Sequence, residues 1–168
     1  MDDRIAFILM KLGHLAVERD RETWLRGLVE LCSQAVDAER ATIYLVDRER
    51  NELRARVAQK AFTDIRLPLG SGLAGHVATT GETINVLDAY DDVRFHREVD
   101  MRTGFRTRNA LVVPVWGADG ATIVGVIQVL NKRNGSFERH DQMLLERVAE
   151  HVGSALEQIQ LAEVAEST

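Results

Sequence analysis

Apolar residues recur at helical spacing towards both ends of the chain and at strand spacing between them. Ile5, Ile8, Leu12 and Leu15 stand 3, 4 and 3 apart, a narrow seam that predicts an amphipathic helix over residues 3–19 and suits a partner helix. Asp20 is placed to cap a second helix over residues 21–36. There Trp24, Leu25, Leu28, Val29, Cys32, Ala35 and Val36 make a stripe broad enough to cover a sheet. A last helix is expected from about residue 138 to 163, carried by Leu145, Val148, Val152, Ala155, Ile159 and Ala162 and widened by Leu144, Ala149 and Leu156.

Residues 41–46 and 53–58 are β-type runs joined by a polar loop, which predicts an antiparallel pair with Ala41, Ile43 and Leu45 on one face and Thr42, Tyr44 and Val46 on the other. A short strand is expected at 83–87, and a hairpin from 110–116 and 122–131 around Gly117-Ala-Asp-Gly120. Pro114 requires an edge or a bulge. Gln128 interrupts an apolar run and calls for an internal hydrogen-bond partner.

The rest of the chain is arranged around residues 69–82, an extended segment that turns into a short helix. Pro68 favours the extended entry, Ser71 is the expected N-cap, and Gly81 suits the left-handed end. Free N–H groups and small residues at such a helix start make an anion site. Gly70-x-Gly72-x-x-Gly75 also has the letters of a dinucleotide fingerprint. Its context is wrong for that role, because the preceding segment holds Arg66 and Pro68 and Gly81 stops the helix early. Residues 89–104 are polar, with Tyr90, Val93, Phe95 and Val99 as anchors, and read as a lid with one or two helical turns.

This order implies an α/β domain of α+β type: a mainly antiparallel central sheet, terminal helices packed on one face and a lidded ligand pocket on the other. The expected division is residues 1–20 as a dimerisation or linker helix, 21–163 as the domain with its C-terminal helix, and 164–168 as a tail.

Composition narrows the function. A net charge of -5 and a pI near 5.6 argue against a nucleic-acid binder, which relies on clustered cations. Hydropathy predicts neither a membrane span nor a secretion signal, so a cytoplasmic location is expected. The single cysteine, Cys32, excludes an internal disulfide or cysteine-rich zinc site and is expected in the core. No histidine pairing has metal-ligand spacing; His14, His140 and His151 fall on helices, while His76 and His96 fall near the pocket. Asp91-Asp92 has no fixed geometry for acid–base work. Arg94, Arg97, Arg102, Arg106 and Arg108 surround the lid and are candidates for drawing in an anion, or for an ordinary solvated surface. No metal and no catalytic residue are expected.

Several blocks together resemble a GAF domain of the cyclic-nucleotide-binding kind found in regulatory regions of phosphodiesterases and bacterial adenylate cyclases. They are Gly72-Leu-Ala-Gly-His-Val-Ala-Thr-Thr-Gly81, Asp88-Ala-Tyr90, Arg94-Phe95, Val99-Asp100, Thr103-Gly-Phe-Arg-Thr-Arg-Asn109, and Asn131-Lys132 with Phe137 and Asp141. The last set resembles the family's NKFDE motif, with Gln142 at its final acidic position. The resemblance covers about residues 21–161. It implies that Thr42 meets the base and that Leu73 and Ala74 form the helix start beside the cyclic phosphate. It also implies that His96, Asp100, Thr103 and Thr107 are lid contacts. Ala58 and Gln59 stand where relatives carry an aromatic and an acidic residue, and Gln128 replaces an acidic one. Lys132 and Asp141 are expected to form an ion pair that pins the lid side of the pocket.

The resemblance thus implies a non-enzymatic sensor with no covalent cofactor. It would bind a cyclic nucleotide, cAMP in preference to cGMP, and signal through the terminal helices of a homodimer to an output domain. The alternative is a dimerisation module with a vestigial pocket or a different small-molecule effector. A covalent bilin is disfavoured by the core position of Cys32, and the methionine-sulfoxide-reductase branch of the family relies on cysteines absent here.

Overall fold

The computed structural model describes residues 3–58 and 65–166. Helices α1 (Asp3–Ala16) and α2 (Arg21–Ala35) lead into strands β1 (Ala38–Asp47), β2 (Glu52–Ala58) and β3 (Ile65–Pro68). Helix α3 (Gly72–Thr80), strand β4 (Ile84–Val86), a single 3-10 turn (Ala89–Asp91) and the short α4 (Glu98–Thr103) follow. Strands β5 (Ala110–Trp116) and β6 (Ile123–Lys132) and the long α5 (Arg139–Glu166) complete the order. The strands form one six-stranded antiparallel sheet in the order β3-β2-β1-β6-β5-β4.

Strand alternation divides the apolar residues between two layers. Ala41, Ile43 and Leu45 of β1 join Val113, Ile127 and Val129 beneath the face covered by α1, α2 and α5. Tyr44 and Val46 join Val112 and Val126 on the face covered by α3. Helix α1 shares the first layer, since Ile8 and Leu15 are buried in the same cluster as Leu28, Leu145 and Leu156. Helix α2 starts as its sequence demands: Asp20 accepts from the Thr23 N–H at 3.0 Å and the Thr23 hydroxyl at 2.6 Å.

Element ends differ from the periodicity in three places. Helix α1 stops at Ala16 rather than at residue 19. Strand β1 starts at Ala38 because Asp37, with φ 54°, turns the chain directly out of α2. Helix α5 runs to Glu166, whose carboxylate takes two hydrogen bonds from Arg21 at 2.9 Å each. Pro114 pairs with Val126 of β6, but β4 pairing has already ended at Ile84–Val112. Its missing N–H therefore lies on a locally unpaired edge, next to the register shift at Val115–Trp116.

Candidate functional site

The site is built on α3. Ser71 occupies the N-cap with extended backbone (φ -90°, ψ 136°), but its side chain makes no capping bond, contrary to the sequence expectation. Its backbone is used instead: the N–H donates to Pro68 O at 2.9 Å and the carbonyl accepts from Gly75 N at 3.0 Å. The N–H groups of the first turn are thereby left without a side-chain acceptor. Gly75 is demanded by packing, since a Cβ there would lie 2.5 Å from the Gly70 carbonyl carbon. Gly81 closes the helix with φ 76°, as expected, and packs under the Trp116 ring. Leu73 and Ala74 are both buried against the sheet.

The sheet beneath contributes polar groups from its two central strands. Thr42 lies directly opposite Gln128 on β6, and Gln128 opposite Val112 on β5. Gln128 neighbours the Tyr44 hydroxyl, and burial pushes that phenol up to about 12. The Thr42 hydroxyl makes no hydrogen bond among the described residues, although the residue is only 9% exposed. A register shift on the β2 side, between Thr42 and Tyr44, falls at the same place. Ala58 is paired across from Thr42 at this shift. Gln59 lies outside the described residues.

Residues 89–109 close over this surface. Tyr90 and Phe95 pack against the α3-side cluster, with ring centroids 5.4 Å apart. The His96 ring carbon Cδ2 would be 3.8 Å from a Cβ built on Gly72, which places this exposed imidazole beside the start of α3. Asp100 is buried and accepts from the Tyr90 hydroxyl at 2.8 Å, the Thr107 N–H at 2.7 Å and the Thr107 hydroxyl at 2.8 Å. That hydrogen bond to Asp100 holds the Tyr90 phenol above its ordinary value. Asp100 and Thr107, expected to face a ligand, thus bind each other. Thr103 ends α4 at this point in the chain.

The arginines described around the lid are engaged rather than free. Arg94 grips Asp92 at 2.9 and 2.6 Å. Arg97 and Arg106 lie over the Tyr90 ring at 4.6 and 4.2 Å from its centroid. Arg108 reaches Glu39 at 3.4 Å. The sequence left these arginines open between drawing in an anion and an ordinary solvated surface, and the folded lid shows that an aromatic ring takes two of them.

The C-terminal motif corrects one expectation. Lys132 does pair with Asp141, at 2.9 Å, but Lys132 also donates to Val36 O at 2.8 Å and Asp141 accepts from Arg4 at 2.9 Å. These contacts join α1, the end of α2, β6 and α5, so the pair secures the helix face and not the lid side of the pocket. The physical reason is the left-handed backbone of Asn131 (φ 59°), which breaks the alternation that would have put residue 132 on the α3 side with Val126 and Leu130. Asn131 is the residue that holds the lid. Its side-chain carbonyl accepts from Arg108 N at 2.6 Å, and its amide donates to Arg106 O at 2.9 Å. Phe137 is buried in the helix-side core, and its carbonyl accepts from Asn85 at 2.8 Å. Asn109 was missed as a site residue. Its sequence signal is a short amide immediately before an apolar strand, facing a second at the end of β6.

Among the described residues, no three His, Cys, Asp or Glu side chains form a group able to hold a metal ion. Cys32 is fully buried on the helix face, and burial pushes its thiol up to about 12, so it is not a nucleophile for this surface. No described helix is long and apolar enough to cross a membrane. The start of α3, the central strands and residues 89–109 meet on this face of the sheet.

Known proteins match this architecture. The chain is 33% identical over 147 residues to a probable 3',5'-cyclic phosphodiesterase of Caenorhabditis elegans, covering 80% of this chain and 20% of that protein. It is 36% identical over 118 residues to a cGMP-specific 3',5'-cyclic phosphodiesterase of Drosophila sechellia, covering 69% of this chain and 10% of that protein. The chain therefore spans a fifth or less of the length of these curated relatives. Among solved structures, the GAF domain of a phosphoenolpyruvate-protein phosphotransferase from Coxiella burnetii superposes with a TM-score of 0.81 at 19% identity, over 98% of this chain and 97% of that one. A free methionine-R-sulfoxide reductase from Neisseria meningitidis superposes at 0.71 and 21% identity, over 100% and 95% of the two chains. At these identities the superpositions speak to fold alone. The profile of the GAF domain family matches residues 20–156, and the chain belongs to that family.

Proposed function

We propose that the chain is a regulatory sensor domain that catalyses no reaction and binds a cyclic nucleotide beneath residues 89–109. In this reading the bound state passes to α1 and α5 of a cytoplasmic homodimer, and from there to an output domain. The observation that carries the reading is Thr42 beside Gln128 at the centre of the α3-side layer, a hydroxyl and an amide on strands otherwise apolar there. Such groups are placed for hydrogen bonds to a purine edge. The phosphodiesterase names of the nematode and fly relatives support a cyclic nucleotide as the ligand class.

The amide of Gln128 favours adenine. It offers one donor and one acceptor, the pattern of an adenine edge, whereas the adjacent N–H groups of guanine call for a carboxylate. cAMP is therefore the preferred ligand. cGMP, in the name of the fly relatives, is the competitor. His96, Leu73 and Ala74 would surround the phosphate. Signalling requires that the ligand favour one setting of the terminal helices over another, since equal affinity shifts nothing. Exposed Met10 on α1, Val17 just after it and Leu161 on α5 would supply apolar surface for the dimer.

Calorimetric titration of the purified domain tests the reading. Saturable heat is expected with both nucleotides and tighter binding with cAMP; no heat with either at about 1 mM, where binding worth roughly 4 kcal/mol would register, would remove it. A second reading has its own support: Asp100, Thr107 and Tyr90 satisfy one another within the lid. A dimerisation module with a vestigial pocket would keep these bonds, remain dimeric and give no heat.

A further inference from the structure

A cavity of about 290 Å³ lies on the face of the sheet opposite α3, between α1 and α5. Ile8 and Leu144 are buried in its floor, and Met143 is half exposed at its mouth. The same stripe of α5 carries His140, Arg147 and His151, and among the described residues no carboxylate lines this otherwise apolar cleft. Arg147 makes no ion pair among the described residues, in contrast to Arg4, which is held by Asp141 nearby. The apolar walls suit a hydrocarbon chain, and the Arg147 guanidinium suits a negative head group.

We propose that this cleft is a second ligand site, which takes a medium-chain carboxylate with its alkyl chain between α1 and α5 and its head group at Arg147. The volume of this half-open cleft suits a medium chain without fixing its length. At the roughly 30 Å³ that one water occupies, the cavity holds on the order of ten non-hydrogen atoms, an acid of about eight carbons. Charge complementarity selects an acid over an alcohol of the same length, because a charge-assisted hydrogen bond to a guanidinium is about twice as strong as a neutral one. The occupant would touch α1 and α5 alone. Occupancy would then set the angle at which the first helix leaves the domain.

Octanoate and 1-octanol are the probes, titrated against the whole chain by calorimetry, with sedimentation run on the same samples. Octanoate is expected to bind saturably and about tenfold more tightly than 1-octanol. Arg147→Ala should reduce that preference to near parity. Met143→Glu should abolish binding, and both exposed positions should leave the circular dichroism spectrum unchanged. Absence of saturable octanoate binding, equal affinity for the alcohol, or binding retained in both variants would overturn the proposal. It would also be overturned if wild type fails to bind while Met143→Glu converts a dimer to a monomer, since a second copy would then be the occupant. Titration with cAMP is unaffected by any of these results, so the site under the lid stands or falls separately.

Discussion

Asn131 and Asn109 hold each other where β6 ends and β5 begins. The Asn131 N–H donates to Asn109 O at 2.9 Å, the Asn109 side-chain carbonyl accepts from Lys132 N at 2.9 Å, and the Asn131 side-chain carbonyl accepts from Asn109 N at 3.3 Å. Asn131 does this with φ 59°, a conformation that asparagine tolerates better than most side chains. The two amides fasten the return of the lid to the sheet, and the Asn131 amide also donates to the Glu39 carboxylate at 3.2 Å.

Replacing Asn131 should therefore cost more than an average surface change. Asn131→Ala leaves the Arg108 and Asn109 N–H groups without their acceptor and replaces asparagine by a residue that tolerates the left-handed region less well. A loss of about 3 kcal/mol in urea unfolding is expected. Asn131→Gly relieves the backbone but not the amide, so its loss should be smaller. Equal losses would show that the backbone conformation contributes nothing.

The Lys132–Asp141 pair has a pH signature. Burial pushes the Asp141 carboxyl up, but the Glu138 N–H, Lys132 and Arg4 together hold it below the ordinary value of 3.8. A carboxyl depressed in the folded state contributes stability that is complete above the unfolded value and is lost as pH falls through the folded one. Wild type should lose this contribution progressively below about pH 4, whereas Asp141→Asn, lower by roughly 3 kcal/mol at neutral pH, should lack that component of the decline. Thermal denaturation from neutral pH down to the acid limit of folding checks both slopes.

The lid can be loosened selectively at Asp100. Asp100→Ala removes the acceptor for Tyr90 and for both donors of Thr107, at a cost of about 2 kcal/mol. Hydrogen exchange at the Thr107 amide, bonded to Asp100 at 2.7 Å, should accelerate far more than exchange in β1 or β6. Uniform acceleration through the domain would mean that the clasp supports the whole fold instead.

Gly75 ties the helix to the turn before it. Gly75→Ala would place a Cβ 2.8 Å from Leu69 O and closer still to Gly70, so α3 must move away from the turn. Overpacking of this kind costs about 1–3 kcal/mol. Cyclic-nucleotide affinity should fall more steeply than stability, which paired calorimetry and urea titration would compare.

Base preference provides a test at a single residue. Gln128→Glu exchanges the donor of the amide for a second acceptor, which favours guanine N–H groups over adenine. A shift from cAMP towards cGMP of about tenfold is expected, equivalent to about 1.4 kcal/mol. An unchanged ratio would place the base away from Gln128.

Much of this architecture was legible from local pattern. Alternation along residues 41–46 assigned Ile43 and Tyr44 to opposite layers, and Gly81 marked where α3 must end, because these properties depend on the pleat and on backbone sterics within a few residues. The motif letters pointed to Lys132 and Asp141 as partners and to Asp100 and Thr107 as neighbours of one site. What those letters could not convey was direction. Lys132 turns to the helix face while Asn131 holds the lid, Asp100 binds Thr107, and Arg97 and Arg106 lie against Tyr90. Each of these outcomes depends on which groups other segments bring within about 3–6 Å, the reach of a hydrogen bond or a cation over a ring, and that distance exists only after the sheet has closed and the lid has folded across it.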